Sequence, residues 1–250
     1  MIIVVSSSAV ENKLKSEMNE VVKYQSEENY VIVTIQNGKA NAISHEVIDG
    51  LNAAFDTIEK EQKPVVLTGQ TGILSAGFDL KVMTASPESA KELVTKGSRL
   101  SLRMLSFPMP IIVACNGHAV AKGAFLLLSS DYRLGVEGEF KIGLNEVMIG
   151  MTMHNAGIEI AKARLAPVFF ERSVNNSEIY NPKDAVTAGF LDKIVPEPHL
   201  LATAIKVAEL FSKLNKKAHR ATKLKLRKPY LEALEKAIDL DLKSDISINP

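Results

Sequence analysis

Residues 111–128, with the sequence IIVACNGHAVAKGAFLLL, carry the clearest signal of the fold class. Ile111 to Ala114 form an apolar run whose length predicts a buried strand, and a turn follows at Asn116-Gly117. An apolar helical segment begins at Gly123, and residues 132–136 predict the next strand. A strand, a turn, a helix and another strand in direct succession indicate an α/β protein built in layers.

The same alternation of strands and helices extends toward the N-terminus. Residues 31–35 predict a strand paired with the segment around residues 21–24, and residues 64–69 predict a buried strand that ends in a Gly-rich turn. Ser44 is the expected N-cap of a helix, and Ser86-Pro87 is the expected start of another. The apolar positions of the first of these helices share one face: Val47, Ile48, Leu51, Ala54, Phe55 and Ile58.

Helices replace strands after about residue 150. Their expected ranges are 152–164, 166–173, 182–188, 199–213, 215–228 and 230–243. This change divides the chain into an N-terminal extension over residues 1–18, a core over residues 19–197 and a C-terminal helical region over residues 198–250. The pattern therefore predicts an α/β core with a helical C-terminal part.

The composition excludes several classes of protein. The 30 Lys and Arg residues nearly balance the 29 Asp and Glu residues, so the net charge of +1 gives no argument for a nucleic-acid or membrane partner. The single cysteine, Cys115, excludes an internal disulfide, and no group of carboxylates or histidines has metal-ligand spacing. The longest apolar runs fall far short of the ~20 residues of a membrane-spanning helix, and the N-terminus lacks the features of a signal peptide. We expect a soluble cytoplasmic protein that binds no metal.

Three turns are candidates for a functional site, because each follows a short apolar strand or begins a helix. They span residues 74–81, 116–124 and 142–150. Small residues in such turns allow a ligand to approach the backbone, and N–H groups at the start of a helix carry partial positive charge. Two such N–H groups from separate turns could bind one carbonyl oxygen, which is the arrangement of an oxyanion hole.

Five motifs resemble the crotonase family, which comprises the enoyl-CoA hydratases and isomerases. In the order and spacing of that family they are Ala40-Asn41-Ala42-Ile43-Ser44, Ser75-Ala76-Gly77-Phe78-Asp79-Leu80-Lys81, Asn116-Gly117-His118-Ala119, Gly143-Leu144-Asn145-Glu146 and Ala188-Gly189-Phe190-Leu191-Asp192-Lys193-Ile194-Val195-Pro196. The resemblance implies a crotonase-like ββα spiral core with a C-terminal helical oligomerisation region. It also implies a homotrimer or hexamer that acts on a coenzyme A thioester and needs no other cofactor.

The resemblance further implies how the site works. The backbone N–H groups of Phe78 and Lys122 would form the oxyanion hole for the thioester oxygen, and Glu146 would be the catalytic base. Hydratases carry a second glutamate at the position of Phe125, so this chain has one of the two carboxylates that the addition of water uses. A single base is sufficient to move a proton from C2 to C4. We therefore expect an isomerase that shifts the double bond of a 3-enoyl-CoA to the 2-position.

Further residues are expected to contact the substrate because of their positions in the family. Ala76, Phe125 and Met151 would contribute to the substrate site, and His154 would lie against the acyl group or a water molecule. Lys81 would reach the phosphates of coenzyme A, with a solvated lysine as the equally weighted alternative.

Four other features receive a mainly structural interpretation. The stretch 213–228 holds eight Lys or Arg residues and no acidic residue. Such a run is most often a solvated helical face, although it could also contact the coenzyme A phosphates of a neighbouring subunit. His118 and Asp131 are expected to be structural. Lys122 stands where the family has a Gly-rich stretch, so its side chain must find space or solvent.

Three other functions are alternatives to the isomerase. Hydration of a 2-enoyl-CoA could use Glu146 with a water molecule held by His154 or by the backbone. Hydrolysis of a coenzyme A thioester is a further enzymatic alternative. The departures from the family pattern at Phe125 and Lys122 also allow a non-catalytic acyl-CoA-binding protein.

Overall fold

Two β-sheets form the framework of residues 20–246, the range that the computed structural model describes. The N-terminal extension predicted over residues 1–18 lies outside this range. The strands are, in chain order, β1 (Val22–Ser26), β2 (Val31–Ile35), β3 (Val65–Thr68), β4 (Gly72–Ser75), β5 (Ile111–Cys115), β6 (Gly117–Val120), β7 (Tyr132–Val136), β8 (Ile142–Gly143), β9 (Ile179–Tyr180) and β10 (Lys193–Val195).

The larger sheet contains the strands that the sequence predicts. Its order is β1-β2-β3-β5-β7-β10. β1 pairs with β2, as expected, and runs antiparallel to it, whereas every other neighbouring pair is parallel. Layers of apolar residues bury β3, β5 and β7 almost completely. Parallel strands covered on both faces have continuous apolar sequences, which is why these three are visible in the sequence.

The smaller sheet has the order β4-β6-β8-β9 and corrects part of the prediction. We expected a turn throughout residues 116–124, but residues 117–120 form β6, which pairs in parallel with β4 and β8. Gly117 makes this pairing possible, because a Cβ there would lie 1.9 Å from the backbone of Gly72. Only glycine tolerates so close an approach of two backbones. The sheet brings the starts of all three predicted turns side by side.

Helices cover the sheets. Most of them lie between strands in the chain, and the last two come after the final strand. The helices are α1 (His45–Glu61), α2 (Leu80–Met83), α3 (Pro87–Ser106), α4 (Lys122–Leu128), α5 (Asn155–Arg164), α6 (Pro167–Val174), α7 (Pro182–Ala188), α8 (Leu200–Ser212) and α9 (Lys216–Asp241). The Ser44 Oγ accepts a hydrogen bond from the Val47 N–H at 3.3 Å, and the Ser86 Oγ accepts one from Ser89 at 3.1 Å. Both predicted helix starts are confirmed.

The C-terminal region differs from the prediction. We expected separate helices over residues 215–228 and 230–243, but α9 is continuous, with Pro229 inside it. A proline in a helix removes one backbone hydrogen bond and crowds the preceding turn, at a cost of about 3 kcal/mol. Buried residues on both sides of Pro229 offset this cost, because α9 packs against α3 and α5.

Two residues of the basic stretch are buried rather than solvated. The Lys223 Nζ lies 2.7 Å from the Asp131 Oδ2, and the Arg227 guanidinium lies 2.8 Å from the Asp131 Oδ1. Lys223 also donates hydrogen bonds of 3.0 Å to the carbonyl oxygens of Phe107 and Met109. The expectation of a solvated or phosphate-binding face is therefore wrong for these two residues. They attach α9 to the core, and Asp131 has the structural role that we expected.

Within residues 20–246, no helix is long and apolar enough to cross a bilayer.

Candidate active site

A cavity of about 290 Å³ lies where the three predicted turns meet. The residues around it are Ala76, Phe78, Leu80, Met83, Thr84, Ala121, Asn145, Glu146, Ile149, Met151 and His154. They come from the segments that follow β4, β6 and β8, from α2 and its C-terminal end, and from the segment before α5. The lining is mostly apolar and contains one carboxylate and one imidazole, which is the composition of a small-molecule site.

The first turn holds the Phe78 backbone N–H in a fixed position. The Gly77 carbonyl accepts a hydrogen bond from the Ile43 N–H at 2.8 Å, and the Asp79 N–H donates to the Ile43 carbonyl at 3.1 Å. Asp79 also caps α2 by accepting from the Lys81 N–H. The Phe78 N–H, between these anchored neighbours, donates to no acceptor within residues 20–246. It is therefore available to a ligand.

The second turn presents another backbone N–H beside the first. Ala121 has φ 48° and ψ −122°, and its N–H donates to the Gly143 carbonyl at 3.0 Å. The next residue, Lys122, begins α4, and its N–H also has no acceptor in the described part of the chain. A Cβ at Gly77 would lie 2.8 Å from the Ala121 Cβ and 3.6 Å from the Lys122 nitrogen. The two turns are thus in contact, as an oxyanion hole requires.

Glu146 brings a carboxylate into this cavity. The residue is 4% exposed, and its backbone carbonyl accepts a hydrogen bond from the Met151 N–H at 2.9 Å. Within residues 20–246 its buried Oε2 has no hydrogen-bond partner. Burial raises the pKa of Glu146 to about 7, although its own backbone N–H and the charge of Lys122 act in the opposite direction. A buried carboxyl with a raised pKa is a stronger base than an exposed one.

His154 lies across the same cavity and is packed on Phe125. The centroids of the two rings are 5.6 Å apart at an interplanar angle of 71°. The His154 Nδ1 is buried without a partner among the described residues. Burial lowers the pKa of His154, so the imidazole is neutral at pH 7. Phe125 itself is buried behind His154 rather than on the cavity surface.

The Lys122 side chain finds space in the interior. Its Nζ donates hydrogen bonds of 2.6 Å to the Gly97 carbonyl and to the Ser101 Oγ, both on α3, and lies 5.9 Å from the centroid of the Phe78 ring. Burial lowers the pKa of Lys122 to about 7. Nothing in the sequence indicates the contact between Gly97 and this lysine.

The remaining predicted residues are divided between the cavity and other places. Ala76 and Met151 line the cavity, whereas Lys81 is exposed on α2 outside it. The His118 Nδ1 accepts a hydrogen bond from the Lys141 N–H at 3.0 Å, which is a structural role. Sequence reasoning missed Asn145 and Ile149, although both belong to the third predicted turn.

In the described range, residues 20–246, no group of three or more His, Cys, Asp or Glu side chains is arranged to hold a metal ion.

The fold and the cavity are those of a crotonase-type enzyme. The sequence model of the enoyl-CoA hydratase/isomerase family matches residues 25–247, so the chain belongs to this family. A solved enoyl-CoA hydratase/isomerase family protein from Pseudomonas syringae is 55% identical to it, with a TM-score of 0.89 over 90% of this chain and 98% of that protein. The resemblance that the motifs indicate is confirmed, and so is the expected fold class.

Other relatives carry both of the family's names. A Mycobacterium tuberculosis protein, 35% identical with a TM-score of 0.86 over 91% of this chain and all of that one, is described as an enoyl-CoA isomerase in one structure and as a probable enoyl-CoA hydratase in another. Mitochondrial enoyl-CoA delta isomerase 1 of Mus musculus is 26% identical over 218 residues, which are 85% of this chain and 75% of that protein. The names of these relatives therefore do not distinguish isomerisation from hydration of an enoyl-CoA.

Proposed function

We propose that the protein shifts the double bond of a 3-enoyl-CoA thioester to the 2-position. The observation that supports this proposal is the number of carboxylates that line the cavity. Among residues 20–246, Glu146 is the one carboxylate that lines the cavity, and the position of the second hydratase glutamate holds Phe125, packed on His154. Isomerisation needs one group that removes and returns a proton, whereas hydration also requires a group that positions and activates water.

In the proposed reaction the Glu146 carboxylate removes a proton from C2. The electron pair of the C–H bond becomes part of a dienolate, whose negative charge moves to the thioester oxygen. The N–H groups of Phe78 and Lys122 stabilise that oxygen, and each such donor contributes about 3 kcal/mol to lowering the barrier. Protonated Glu146 then returns the proton to C4, which leaves the double bond between C2 and C3. The reaction is redox-neutral, so we propose that it uses no cofactor beyond the coenzyme A of the substrate.

The raised pKa of Glu146 supports both halves of this reaction. A group with a pKa of about 7 is ionised in a useful fraction near neutral pH and holds the proton well enough to deliver it to carbon. Ala76, Met151 and His154 would contact the acyl group, because they line the cavity beside Glu146.

The experiment that tests this function supplies 3-hexenoyl-CoA and crotonyl-CoA in parallel and follows the conjugated-enoyl absorbance. We expect formation of that absorbance from the first substrate and no loss of it from the second. Glu146→Gln should abolish turnover while coenzyme A binding stays within severalfold. Glu139→Gln, which changes an exposed carboxylate outside the cavity, is the matched control. Turnover of crotonyl-CoA alone, or full activity of Glu146→Gln, would contradict the proposal.

Hydration of a 2-enoyl-CoA is the second candidate, and His154 is the observation that favours it. The unpartnered Nδ1 of its neutral ring, beside Glu146 in the cavity, could hold a water molecule. His154→Leu distinguishes the two reactions, because it should abolish hydration but leave isomerisation measurable.

We also propose that Lys81 binds the phosphates of coenzyme A. The position of Lys81 supports this proposal, because the residue is exposed and directly follows Leu80, which lines the cavity. Lys81→Met should raise KM several-fold for the coenzyme A thioester and leave KM unchanged for an acyl-pantetheine thioester, which lacks the nucleotide. Equal KM values for the coenzyme A thioester in both proteins would contradict this role.

The proposed oligomer is a homotrimer or a hexamer. Large apolar side chains are exposed on the C-terminal helices, including Leu201 and Leu210 on α8 and Leu226 on α9, which is 74% exposed. Apolar residues at such positions favour association. Light scattering coupled to gel filtration should give a mass of three or six chains, and a monomer would contradict the proposal.

A further inference from the structure

The proposed reaction uses the backbone N–H of Lys122 but leaves its side chain without a role. This side chain is a long cation in the interior of the protein, where the residue is only 2% exposed. Burying an ammonium group is costly unless it is paired or hydrogen-bonded. The burial of this lysine next to a candidate oxyanion hole therefore depends on the partners of its ammonium group.

The contacts of the Lys122 Nζ join three parts of the site. It donates 2.6 Å hydrogen bonds to the Gly97 carbonyl and the Ser101 Oγ, which are one helical turn apart on α3. It also lies 5.9 Å from the centroid of the Phe78 ring, within the range of a cation–π interaction. Lys122 and Phe78 are the two residues whose N–H groups face the proposed oxyanion. One ammonium group thus connects both of them to α3.

Gly97 provides the space in which these two side chains meet. A Cβ at this position would lie 2.4 and 2.5 Å from two atoms of the Phe78 ring and 3.4 Å from the Lys122 Cε. Any larger residue would displace the ring. The absence of a side chain at position 97 is therefore part of the same arrangement as the lysine.

We propose that the Lys122 side chain is a positioning residue, which holds the two N–H-bearing turns against α3 and directs a positive charge toward Glu146. The proposal rests on the function proposed above, since it concerns the oxyanion hole and the base of that reaction. Among the described residues, the titratable groups that interact electrostatically with Lys122 are Glu146 and His154. Its positive charge favours the ionised form of Glu146, which is the form that removes a proton.

Lys122→Met tests both parts of the role, because methionine keeps most of the length and loses the charge and the hydrogen bonds. We expect kcat for 3-hexenoyl-CoA to fall about tenfold, less than the loss of a whole oxyanion donor, with little change in KM. Loss of the positive charge should also raise the pKa of Glu146. The pH at which activity is half-maximal on the acid side should therefore rise by about one unit, which is the lower end of the pKa shift that a nearby charge causes. Lys96→Met, which changes a partly exposed lysine on α3, is the matched control and should behave as the wild type.

Gly97→Ala separates the positioning effect from the effect of the charge. The added methyl group displaces the Phe78 ring but leaves the ammonium in place, so kcat should fall while the acid-side midpoint stays at the wild-type value. A wild-type midpoint in Lys122→Met would overturn the role of the charge. A wild-type kcat in both variants would overturn the positioning role.

A measurement without turnover keeps this inference separate from the proposed function. Infrared difference spectra of the wild type against Glu146→Gln isolate the titration of the Glu146 carboxyl, and the same comparison in the Lys122→Met background should show a higher midpoint. If neither substrate is turned over, the proposed function fails, and this titration still decides whether Lys122 acts on Glu146. If circular dichroism shows that Lys122→Met does not fold, Ser101→Ala replaces it. That variant removes one acceptor of the ammonium and should lower kcat several-fold at constant KM, and an unchanged kcat would overturn the proposal.

Discussion

In the proposed reaction Glu146 must be charged to remove a proton, yet its burial favours the neutral form. An exposed glutamate would be fully ionised at neutral pH but would be a weak base, because a carboxyl with a pKa near 4.5 gives up its proton too readily. The cavity around Glu146 raises its pKa to about 7. The positive charge of Lys122 and the backbone N–H limit the rise, so the residue is still ionised in part near neutral pH.

The first prediction at the residue scale is the pH dependence of activity. Since the ionised form of Glu146 is the proposed base, kcat/KM for 3-hexenoyl-CoA should fall about tenfold per pH unit below about pH 7, a range in which Lys122, whose pKa is also about 7, is protonated. An unperturbed glutamate would place this limb near pH 4.5. The measurement is a profile of initial rates between pH 5 and pH 8. Activity that stays constant down to pH 5 would contradict a buried Glu146 base.

The second prediction at this scale concerns Ala121. Its φ of 48° and ψ of −122° resemble the first central residue of a type II′ turn, which favours glycine. We expect Ala121→Gly to raise the free energy of unfolding by on the order of 1 kcal/mol, because relief of backbone strain exceeds the added entropy of the unfolded chain. Urea denaturation measures this change. Ala53→Gly, within helix α1, is the control and should lower stability by a similar amount. A loss of stability in both variants would contradict the strain at Ala121.

At the scale of single elements, the sequence predicts strands in proportion to their length and burial. β3 contains an apolar run of three residues and β5 one of five, both bounded by turns, so the sequence indicates them directly. β8 and β9 have two residues each, too few for any periodicity, and β6 contains Gly117 and His118. Their pairing depends on contacts between segments distant in the chain. The sequence therefore predicts the turns of the site but not the sheet that aligns them.

The helix α5 illustrates a dependence on a distant residue and gives the third prediction. Its N-cap, His154, makes no side-chain capping bond, and the Asp241 carboxylate at the end of α9 takes that role. Asp241 accepts hydrogen bonds from the Asn155 and Ala156 N–H groups at 2.7 and 2.9 Å and from the Asn155 side chain. A buried carboxylate at a helix N-terminus also interacts favourably with the helix dipole.

Asp241→Asn should therefore lower the free energy of unfolding by about 2 kcal/mol, the typical contribution of hydrogen bonds to a charged group. Thermal or urea denaturation at pH 7 measures the loss. Asp239→Asn changes an exposed carboxylate two residues away on the same helix and should have little effect. Equal stability of the two variants would show that Asp241 does not support α5.

At the scale of the whole molecule, charge balance could be predicted from the sequence, but charge placement could not. The basic stretch 213–228 is visible as a run, yet Lys223 and Arg227 contact Asp131, which lies about ninety positions earlier. Likewise, Lys122 and its partner Gly97 belong to different predicted elements. The family motifs indicate the candidate site residues Phe78, Lys122 and Glu146 through their positions along the chain. They contain no information about partners that are particular to this chain.

Glu146 should also make the stability of the whole molecule depend on pH, which is the fourth prediction. Its carboxyl has a pKa of about 7 in the folded protein and an ordinary value of 4.5 when exposed. Between these values the folded protein holds the proton and the unfolded chain does not. The contribution of Glu146 to the free energy of unfolding is therefore highest below about pH 4.5 and decreases as the pH rises to about 7. Because each pH unit between the two values corresponds to ~1.4 kcal/mol, the total decrease is on the order of 3 kcal/mol.

Glu146→Gln isolates this contribution, because glutamine does not titrate. His154 and Lys122 act in the opposite direction, since burial lowers their pKa values, and both proteins retain these residues. Loss of the Glu146 charge lowers the pKa of Lys122 further, which adds to the gain of the variant as the pH rises. We expect urea denaturation at pH 5 and pH 7.5 to show that the variant gains stability relative to the wild type as the pH rises. Glu139→Gln, with its exposed position, should show no such gain. A difference between variant and wild type that is equal at both pH values would mean that folding does not perturb Glu146, and the physical reason for its strength as a base would be lost with it.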